Sequence, residues 1–177
     1  WYHASTKHSY NSVRTNPNYI SWEDQPRTYK NYPQSYTKRK LDLEKEEDDF
    51  LYHIAGLTAK KSYPSGEYYL RINPSAGALY PNELYFQARG VDGIEDGVYH
   101  FEVSSSSLTL LQDISESEGL EPYFGYKTGM KGYLFLISAI YYRSSWKYKN
   151  RAFRYCLLDG GHLLGSIEAS ALLRSKR

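Results

Sequence analysis

The sequence predicts an α+β fold, with a central, mostly antiparallel sheet flanked by helices. Apolar residues recur at helical spacing after residue 50 and again over residues 152–174, and several short strand-like runs lie between these stretches. The runs do not alternate regularly with helices, so a repeating βαβ arrangement is excluded. The length of 177 residues fits one ordinary domain, which can bury a substantial core without disulfides or structural metals.

Residues 1–40 differ from the rest of the chain because they show little periodicity. They contain Pro17, Pro26 and Pro33 and are rich in Asn, Ser and Thr, which predicts an irregular, extended N-terminal arm. The aromatic side chains expected to pin this arm onto a partner surface are Tyr19, Trp22, Tyr29, Tyr32 and Tyr36. The sequence is therefore divided into the arm, residues 1–40, and a folded domain, residues 41–177.

The folded domain begins with a predicted helix over residues 41–57, whose acidic block lies where the helix dipole favours negative charge. Strands are predicted at residues 67–72, 83–89, 98–103, 108–111 and 133–142. The strands at 98–103 and 108–111 are predicted to form an antiparallel hairpin, and residues 62–66 a turn. The strand at 133–142 is apolar enough to be buried on both faces. In the long helix over residues 152–174, Gly160 and Gly161 each cost about 1 kcal/mol, so we expect another backbone or a ligand to approach them closely.

Charge and cysteine content restrict the function classes. With 22 Lys and Arg against 20 Asp and Glu, the net charge of +2 excludes a strongly basic nucleic-acid binder on global charge. The single cysteine, Cys156, excludes an intramolecular disulfide and a multi-cysteine metal centre and fits a reducing, cytoplasmic setting; no metal site is predicted. No apolar run reaches the ~20 residues of a membrane span, and no signal peptide is recognisable. Because the first residue is Trp1 rather than methionine, we expect the numbered chain to be trimmed.

Tyrosine is unusually frequent, at 20 residues against six phenylalanines. A tyrosine ring favours an apolar environment while its hydroxyl needs a polar partner. The surplus is therefore expected at half-buried surfaces such as interfaces or ligand walls, although a compositional bias of the genome would produce the same count. The tyrosines in or beside the segments with candidate chemistry are Tyr80, Tyr85, Tyr148 and Tyr155.

Two segments could carry chemistry. The first, RINPSAGALYPNELY at residues 71–85, places small residues between two predicted strands, where backbone amides can approach a flat ligand or an anion; an ordinary loop is the structural alternative. The second, WKYKNRAFRY at residues 146–155, could position a substrate and take its protons, bind a nucleic-acid backbone, or form a solvated loop and helix start. Nearby, His162 is expected to be a hydrogen-bonded core residue and Cys156 to be buried and inert.

Together these segments resemble the SagB/ThcOx-type dehydrogenases of the nitroreductase-like flavoprotein superfamily. The matching pieces are RINPSAGALYPNELY at 71–85, GVYHF at 97–101 and KYKNRAFRYCLLDGGH at 147–162, with further likeness at 8–14 and 22–26. The resemblance covers most of the chain. Members of this family oxidise azoline rings of modified peptides with FMN. The resemblance therefore implies an FMN-dependent oxidoreductase with a small-molecule or modified-peptide substrate.

The resemblance also implies which residues form the site. Lys147 and Tyr148 match the Lys-Tyr pair that the family uses for proton abstraction, before a hydride passes to the flavin. The residues implied to bind the cofactor are Arg71, Pro74, Ser75, Ala76, Gly77, Ala78, Tyr80, Arg154 and His162. FMN is expected at the interface of a homodimer, or of a pseudo-dimer with a second similar half.

Two departures from the family pattern concern the FMN phosphate. Related flavoproteins bind it with an early basic-basic-Ser-x-Arg sequence, whereas this chain has YTKRKL at residues 36–41. The chain also stops at Arg177, where family members continue. The pattern therefore predicts an incomplete domain or half of a pseudo-dimer, with phosphate-binding groups supplied by a second half or a partner chain.

Three functions are compatible with the sequence. The first is the flavin-dependent oxidoreductase, and the second is a nitroreductase-like domain without cofactor that serves as a structural or substrate-recognition partner. The third is a nucleic-acid or glycan binder using residues 146–155, which the near-neutral net charge disfavours. Neither nucleic acid nor a membrane is an expected partner.

Overall fold

The computed structural model describes residues 1–15, 19–63 and 66–176. The strands within these residues are β1 Lys38–Lys40, β2 Leu57–Tyr63, β3 Gly66–Arg71, β4 Asn82–Arg89, β5 Gly97–Glu102, β6 Ser107–Asp113 and β7 Gly132–Ala139. The α-helices are α1 Tyr2–Thr6, α2 Tyr10–Arg14, α3 Glu46–Ala55, α4 Tyr141–Tyr148 and α5 Ala152–Leu173. Short 3₁₀ turns lie at Ala76–Ala78, Glu121–Phe124 and Lys149–Arg151. None of the described helices is long and apolar enough to cross a membrane.

The strands form two antiparallel sheets. The larger sheet has five strands in the order β1-β6-β5-β4-β7, and β2 pairs with β3 in a separate hairpin. The predicted hairpin is present as β5 and β6, with Tyr99 opposite Leu110. Neighbouring strands are antiparallel throughout the described residues, and helices flank the larger sheet. The predicted α+β architecture is therefore confirmed.

One face of the larger sheet packs against α3 and α5. Because side chains alternate along a strand, Leu84, Phe86 and Ala88 of β4 all point to this face. The two helices contribute to the same buried cluster Phe50, Leu51, Ile54, Leu163 and Ile167. Burying each large apolar side chain contributes about 1.5 to 3 kcal/mol, so this layer fixes α5 against the sheet.

The opposite face of β4 carries polar side chains that are also buried. Glu83 is 1% exposed; His100 Nε2 lies 2.9 Å from one of its oxygens, and Arg143 donates to the other. Arg143 also donates to the carbonyl of Tyr80 at 2.8 Å. Burial alone would raise the pKa of Glu83, but His100, Arg143 and Arg71 outweigh it and lower that pKa. A charged carboxylate therefore joins β4 to β5 and α4.

The described part of the arm packs onto its own domain. Trp22 meets Trp146 edge to face, with ring centroids 5.5 Å apart. Lys30 donates to the hydroxyls of Tyr32 and Tyr85, each at 2.9 Å. Trp22 and Tyr32 thus contact their own domain, and the expectation that the arm aromatics pin the arm onto a partner stays a prediction. Tyr85 and His100 of the sheet supply the hydroxyl and ring contacts of Tyr32, and α4 supplies the ring contact of Trp22.

Several boundaries differ from the sequence prediction. Residues 1–40 are not irregular throughout, because they contain α1, α2 and β1, while Pro17 and part of the 62–66 turn lie outside the described residues. β7 ends at Ala139 rather than at residue 142, and α4 follows it directly. β7 is also an edge strand whose side chains are half-buried or exposed, so the prediction of burial on both faces is wrong.

We predict that Glu83→Gln lowers the free energy of unfolding by about 3 to 5 kcal/mol at pH 7, because the buried Arg143 charge loses its partner. Since folding lowers the pKa of Glu83, its contribution is present at pH 7 and disappears as the pH falls below the ordinary glutamate value of about 4.3. Urea denaturation at successively lower pH should show the free energies of unfolding of wild type and Glu83→Gln approaching each other.

The matched control is Glu116→Gln, at an exposed side chain, which should change stability by less than about 0.5 kcal/mol. A Glu83→Gln protein as stable as wild type at pH 7 would contradict the structural role of this carboxylate.

Candidate active site at the residue 74–80 loop

The loop between β3 and β4 has a strained backbone. A 3₁₀ turn, Ala76–Ala78, forms its centre, and positive φ angles occur at Gly77 (65°), Ala78 (53°) and Tyr80 (46°). Glycine adopts such angles without cost, but each of the other two carries a penalty of roughly 1–3 kcal/mol. The loop therefore requires contacts that hold it in this shape.

A buried carboxylate on α5 provides those contacts. Asp159 is 4% exposed and accepts a hydrogen bond from Ser75 Oγ at 2.6 Å. It also accepts from the Ala76 amide, 3.3 Å from each carboxylate oxygen, while Ser75 Oγ accepts from the Tyr80 amide at 2.8 Å. The start of the turn is thus bound directly to Asp159, and its end is bound to Asp159 through Ser75 Oγ. The sequence had suggested that backbone amides of this loop are free to bind a ligand. The Ala76 amide is not free, because Asp159 accepts its hydrogen bond.

Arg71 and Tyr80 lie beneath the loop rather than on its surface. The Tyr80 hydroxyl accepts the Arg71 amide hydrogen at 2.9 Å, and the guanidinium carbon lies 4.6 Å from the Tyr80 ring centroid. The guanidinium also donates to the carbonyl of Thr28 in the arm. Burial lowers the pKa of Arg71 to about 10. These two predicted cofactor-binding residues therefore support the loop from below.

The Lys-Tyr pair meets the loop at Gly77. A Cβ atom added to Gly77 would lie 2.6 Å from Tyr148 Oη and 3.1 Å from Lys147 Nζ. The two segments singled out in the sequence are thus brought together, although roughly 70 residues separate them. Glycine is needed here both for its positive φ and because a larger residue would displace the tyrosine hydroxyl.

Tyr148 is held in its protonated form. Its ring centroid lies 4.4 Å from that of Tyr155. Burial, followed by Tyr155 and Asp159, raises the pKa of Tyr148. Around neutral pH the hydroxyl is therefore a phenol that can donate a hydrogen bond.

The other predicted cofactor-binding residues do not all lie at the loop. Pro74 and Gly77 are exposed, and the other small residues of the loop are half-buried. Arg154 binds α1 instead, through Thr6 Oγ1 at 3.0 Å and His3 Nδ1 at 3.1 Å. The His162 side chain is exposed on α5, so its prediction as a core residue is wrong.

The sequence did not indicate Asp159 as a functional residue. Asp159 lies on the buried side of α5 together with Cys156, Leu163 and Ile167. An ionisable residue among apolar ones on a buried helix face was the sequence signal that could have identified it. Cys156 is buried as predicted, and burial raises the pKa of its thiol. Gly160 does permit a close approach, but of the Asn82 side chain, whose Nδ2 would lie 3.0 Å from an added Cβ.

Two curated proteins resemble the chain in sequence, and no protein-family model matches it. A candidate nitroreductase of Methanocaldococcus jannaschii is 31% identical over 96 residues, which are 53% of this chain and 48% of that protein. The trifolitoxin-processing protein TfxB of Rhizobium leguminosarum bv. trifolii is 29% identical over 140 residues, which are 71% of this chain and 34% of that protein. The chain thus spans about half, or less, of the length of these relatives.

Solved structures identify the fold. The crystal structure of a candidate nitroreductase from Anabaena variabilis matches 96% of this chain and 37% of that chain, with a TM-score of 0.79 and 30% identity. The chain has a nitroreductase-like fold. A chain of the E. coli microcin synthetase McbBCD complex with truncated pro-MccB17 bound shares this fold, with a TM-score of 0.54 and 16% identity over 98% of this chain and 72% of that chain. The nitroreductase-like fold expected from the sequence resemblance is confirmed, while the SagB/ThcOx-type assignment stays a prediction.

We predict that Asp159→Ala frees the loop of this nitroreductase-like domain. The change removes the acceptor for Ser75 and Ala76, so we expect faster amide hydrogen exchange over residues 72–81 and a loss of about 1–3 kcal/mol in stability. Glu168→Ala, an exposed change on the same helix, is the control. Unchanged exchange in the loop of a folded Asp159→Ala protein would show that the strained turn does not depend on this carboxylate.

Proposed function

We propose that the chain is the whole or part of an FMN-dependent oxidoreductase resembling the azoline-oxidising SagB/ThcOx-type dehydrogenases, with a small-molecule or modified-peptide substrate. The observation that carries the proposal is the convergence of Lys147 and Tyr148 on Gly77. The name of the relative TfxB, a trifolitoxin-processing protein, supports a peptide-derived substrate. The single buried cysteine suits the cytoplasmic setting that we propose.

The loop is suited to a flat ring. Pro74 and Gly77 are exposed, and the residues between and after them are small, so a planar ligand can approach the backbone. The residues proposed to hold the isoalloxazine ring are Pro74, Ser75, Ala76, Gly77 and Ala78. FMN, when bound there, supplies the electron acceptor for the oxidation. The protein supplies the fixed loop and the adjacent proton-transfer groups.

The two members of the pair have different proposed tasks. Because its pKa is raised, Tyr148 keeps its proton and donates a hydrogen bond to the substrate. Lys147 is the member of the pair proposed to take a proton from the substrate. Asp159 acts as a positioning residue, since it holds the loop that faces both side chains.

Two of the three cations in the early basic segment, residues 36–41, are engaged within the domain and are not free for the FMN phosphate. Lys38 pairs with Glu102 at 2.9 Å, and Arg39 makes a bidentate pair with Asp48 at 2.6 Å. These cations are therefore already neutralised by their own domain. This observation favours the second candidate, a nitroreductase-like domain without cofactor that acts as a structural or substrate-recognition partner, unless a second half provides the phosphate site.

A second nitroreductase-like unit, either another copy or a similar half, is the proposed partner of α5. The helix has a buried face toward the sheet, but its large apolar residues outside that face are also exposed: Phe153, Leu157, Leu158, Leu164, Leu172 and Leu173. Added Cβ atoms at Gly161 and Gly165 would meet nothing within 4 Å. A helix that is apolar on nearly all sides is typically buried, and small residues permit close helix contact. The length of the Anabaena chain, of which this chain matches 37%, supports a second similar half.

Flavin binding provides the first test. We expect the protein to take up FMN with absorbance near ~450 nm, and an azoline-bearing peptide to bleach that band without oxygen as electrons reach the flavin. Lys147→Ala should retain FMN but lose the bleaching, whereas Lys127→Ala, at an exposed lysine, should behave as wild type. A protein that does not bind FMN would refute the oxidoreductase for this chain and leave the second candidate. Full bleaching by a folded Lys147→Ala protein would refute the role of the lysine.

The interface proposal predicts self-association, provided that the partner is a second copy. The mass in solution should correspond to a dimer, and Leu157→Glu with Leu164→Glu should give a folded monomer, because both side chains lie on the exposed face of α5. Leu43→Glu, at an exposed leucine outside α5, is the control and should remain dimeric. A wild-type monomer at high concentration would exclude the homodimer.

A further inference from the structure

A cavity of about 580 Å³ lies between the first residues of the chain and the segment that follows α4. Its lining includes the basic residues Lys7, His8, Lys147, Lys149 and Arg151. The rest of the lining includes the serine and threonine hydroxyls of residues 5–15, which can donate hydrogen bonds. The cavity is therefore rich in donors and positive charge.

None of the described residues that line the cavity is an aspartate or a glutamate. Among the described residues, Lys7, Lys147, Lys149 and Arg151 have no Asp or Glu oxygen within 4 Å. The chain as a whole has nearly balanced charges, at 22 basic against 20 acidic residues. Gathering like charges in one cavity is unfavourable unless an anion compensates them, and the resulting positive potential attracts anions.

Arg151 is fixed in the wall of the cavity. Its guanidinium donates to the carbonyl of Thr6 and, at 3.1 Å, to the hydroxyl of Tyr155. Its Nε atom is buried and has no acceptor among the described residues. That atom is enclosed by the protein and does not face the cavity, but both Nη partners are neutral oxygens, so the guanidinium charge has no counter-ion among the described residues. Lys149 is held as well, at φ 49° with its amine donating to the carbonyl of Trp146 at 2.9 Å.

The cavity adjoins the candidate active site. Lys147 and Tyr148 line it and also face Gly77 of the loop. A ligand with a charged end in the cavity would therefore have its remaining atoms beside the pair proposed to handle the proton. A volume of about 580 Å³ suits a small molecule, which favours a small oxyanion over a nucleic-acid strand.

We propose that this cavity binds an oxyanion, either a carboxylate or a phosphate group, and that the group belongs to the substrate. Arg151 and Lys149 would hold it by charge-assisted hydrogen bonds, with Lys7 closing the outer side. The anion site itself stands on the cavity, and only its assignment to the substrate rests on the proposed function.

Titration calorimetry without FMN tests the anion site separately from the oxidoreductase. At constant ionic strength we expect saturable binding of inorganic phosphate, of triglycine through its terminal carboxylate, or of both. Triglycine amide, which lacks that carboxylate, is the matched control ligand. Binding of phosphate alone identifies a phosphate group as the source, and binding of triglycine but not of its amide identifies a carboxylate.

Variants connect the binding to the cavity. Lys7→Gln with Lys149→Gln removes two charges while keeping hydrogen-bond donors, and should weaken binding at least about tenfold, or 1.4 kcal/mol. Lys127→Gln with Lys131→Gln removes two exposed charges outside the lining and should leave binding unchanged. Ser5→Asp places a carboxylate in the lining and should abolish binding without lowering the melting temperature.

The proposal is overturned if neither phosphate nor triglycine binds to the folded protein, if both lysine pairs have the same effect, or if a single-stranded oligonucleotide binds more tightly than the small anions. Failure of FMN uptake with intact anion binding would refute the oxidoreductase and leave the cavity site standing. Normal flavin bleaching without anion binding would refute only the cavity site.

Discussion

The candidate site depends on the contacts that the buried Glu83 carboxylate makes with Arg143 and His100. A carboxylate in the interior is tolerated only when cations and donors surround it, and here α4 and β5 provide them. Arg143 must therefore sit at the start of α4, which brings the end of that helix toward the loop. The same arginine binds the Tyr80 carbonyl, so one electrostatic centre fixes both sides of the candidate site.

The site is rigid because each part is held by an element that is packed for another reason. Apolar burial holds α5 against the sheet, and α5 in turn places Asp159 within hydrogen-bond distance of the loop. The loop can then keep positive φ angles at Ala78 and Tyr80, which it would not adopt alone. Strain stored beside Lys147 and Tyr148 is typical of sites whose geometry must be set before a ligand arrives.

The sequence predicted those parts of the fold that local patterns determine. β4, β5 and β6 follow from alternation and turn residues, and α5 follows from its apolar spacing. α4 was missed because its helical form depends on long-range burial of Arg143 and Trp146, which no local pattern shows. The loop and the Lys-Tyr pair were singled out by their local residue pattern and received roles from the family resemblance. Asp159, Glu83 and the basic cavity required the tertiary arrangement, since their partners lie far away in the sequence.

The walls of the basic cavity come from two segments that lie far apart in the sequence. Tyr2 donates to the carbonyl of Asn150, a contact across 148 positions, and Arg154 reaches back to Thr6. At roughly 5–20 residues per second, a ribosome would need on the order of 10 to 30 s to make the second wall after the first. The first wall would thus remain unanchored until the second wall has been made, and only then could the cavity bind a ligand.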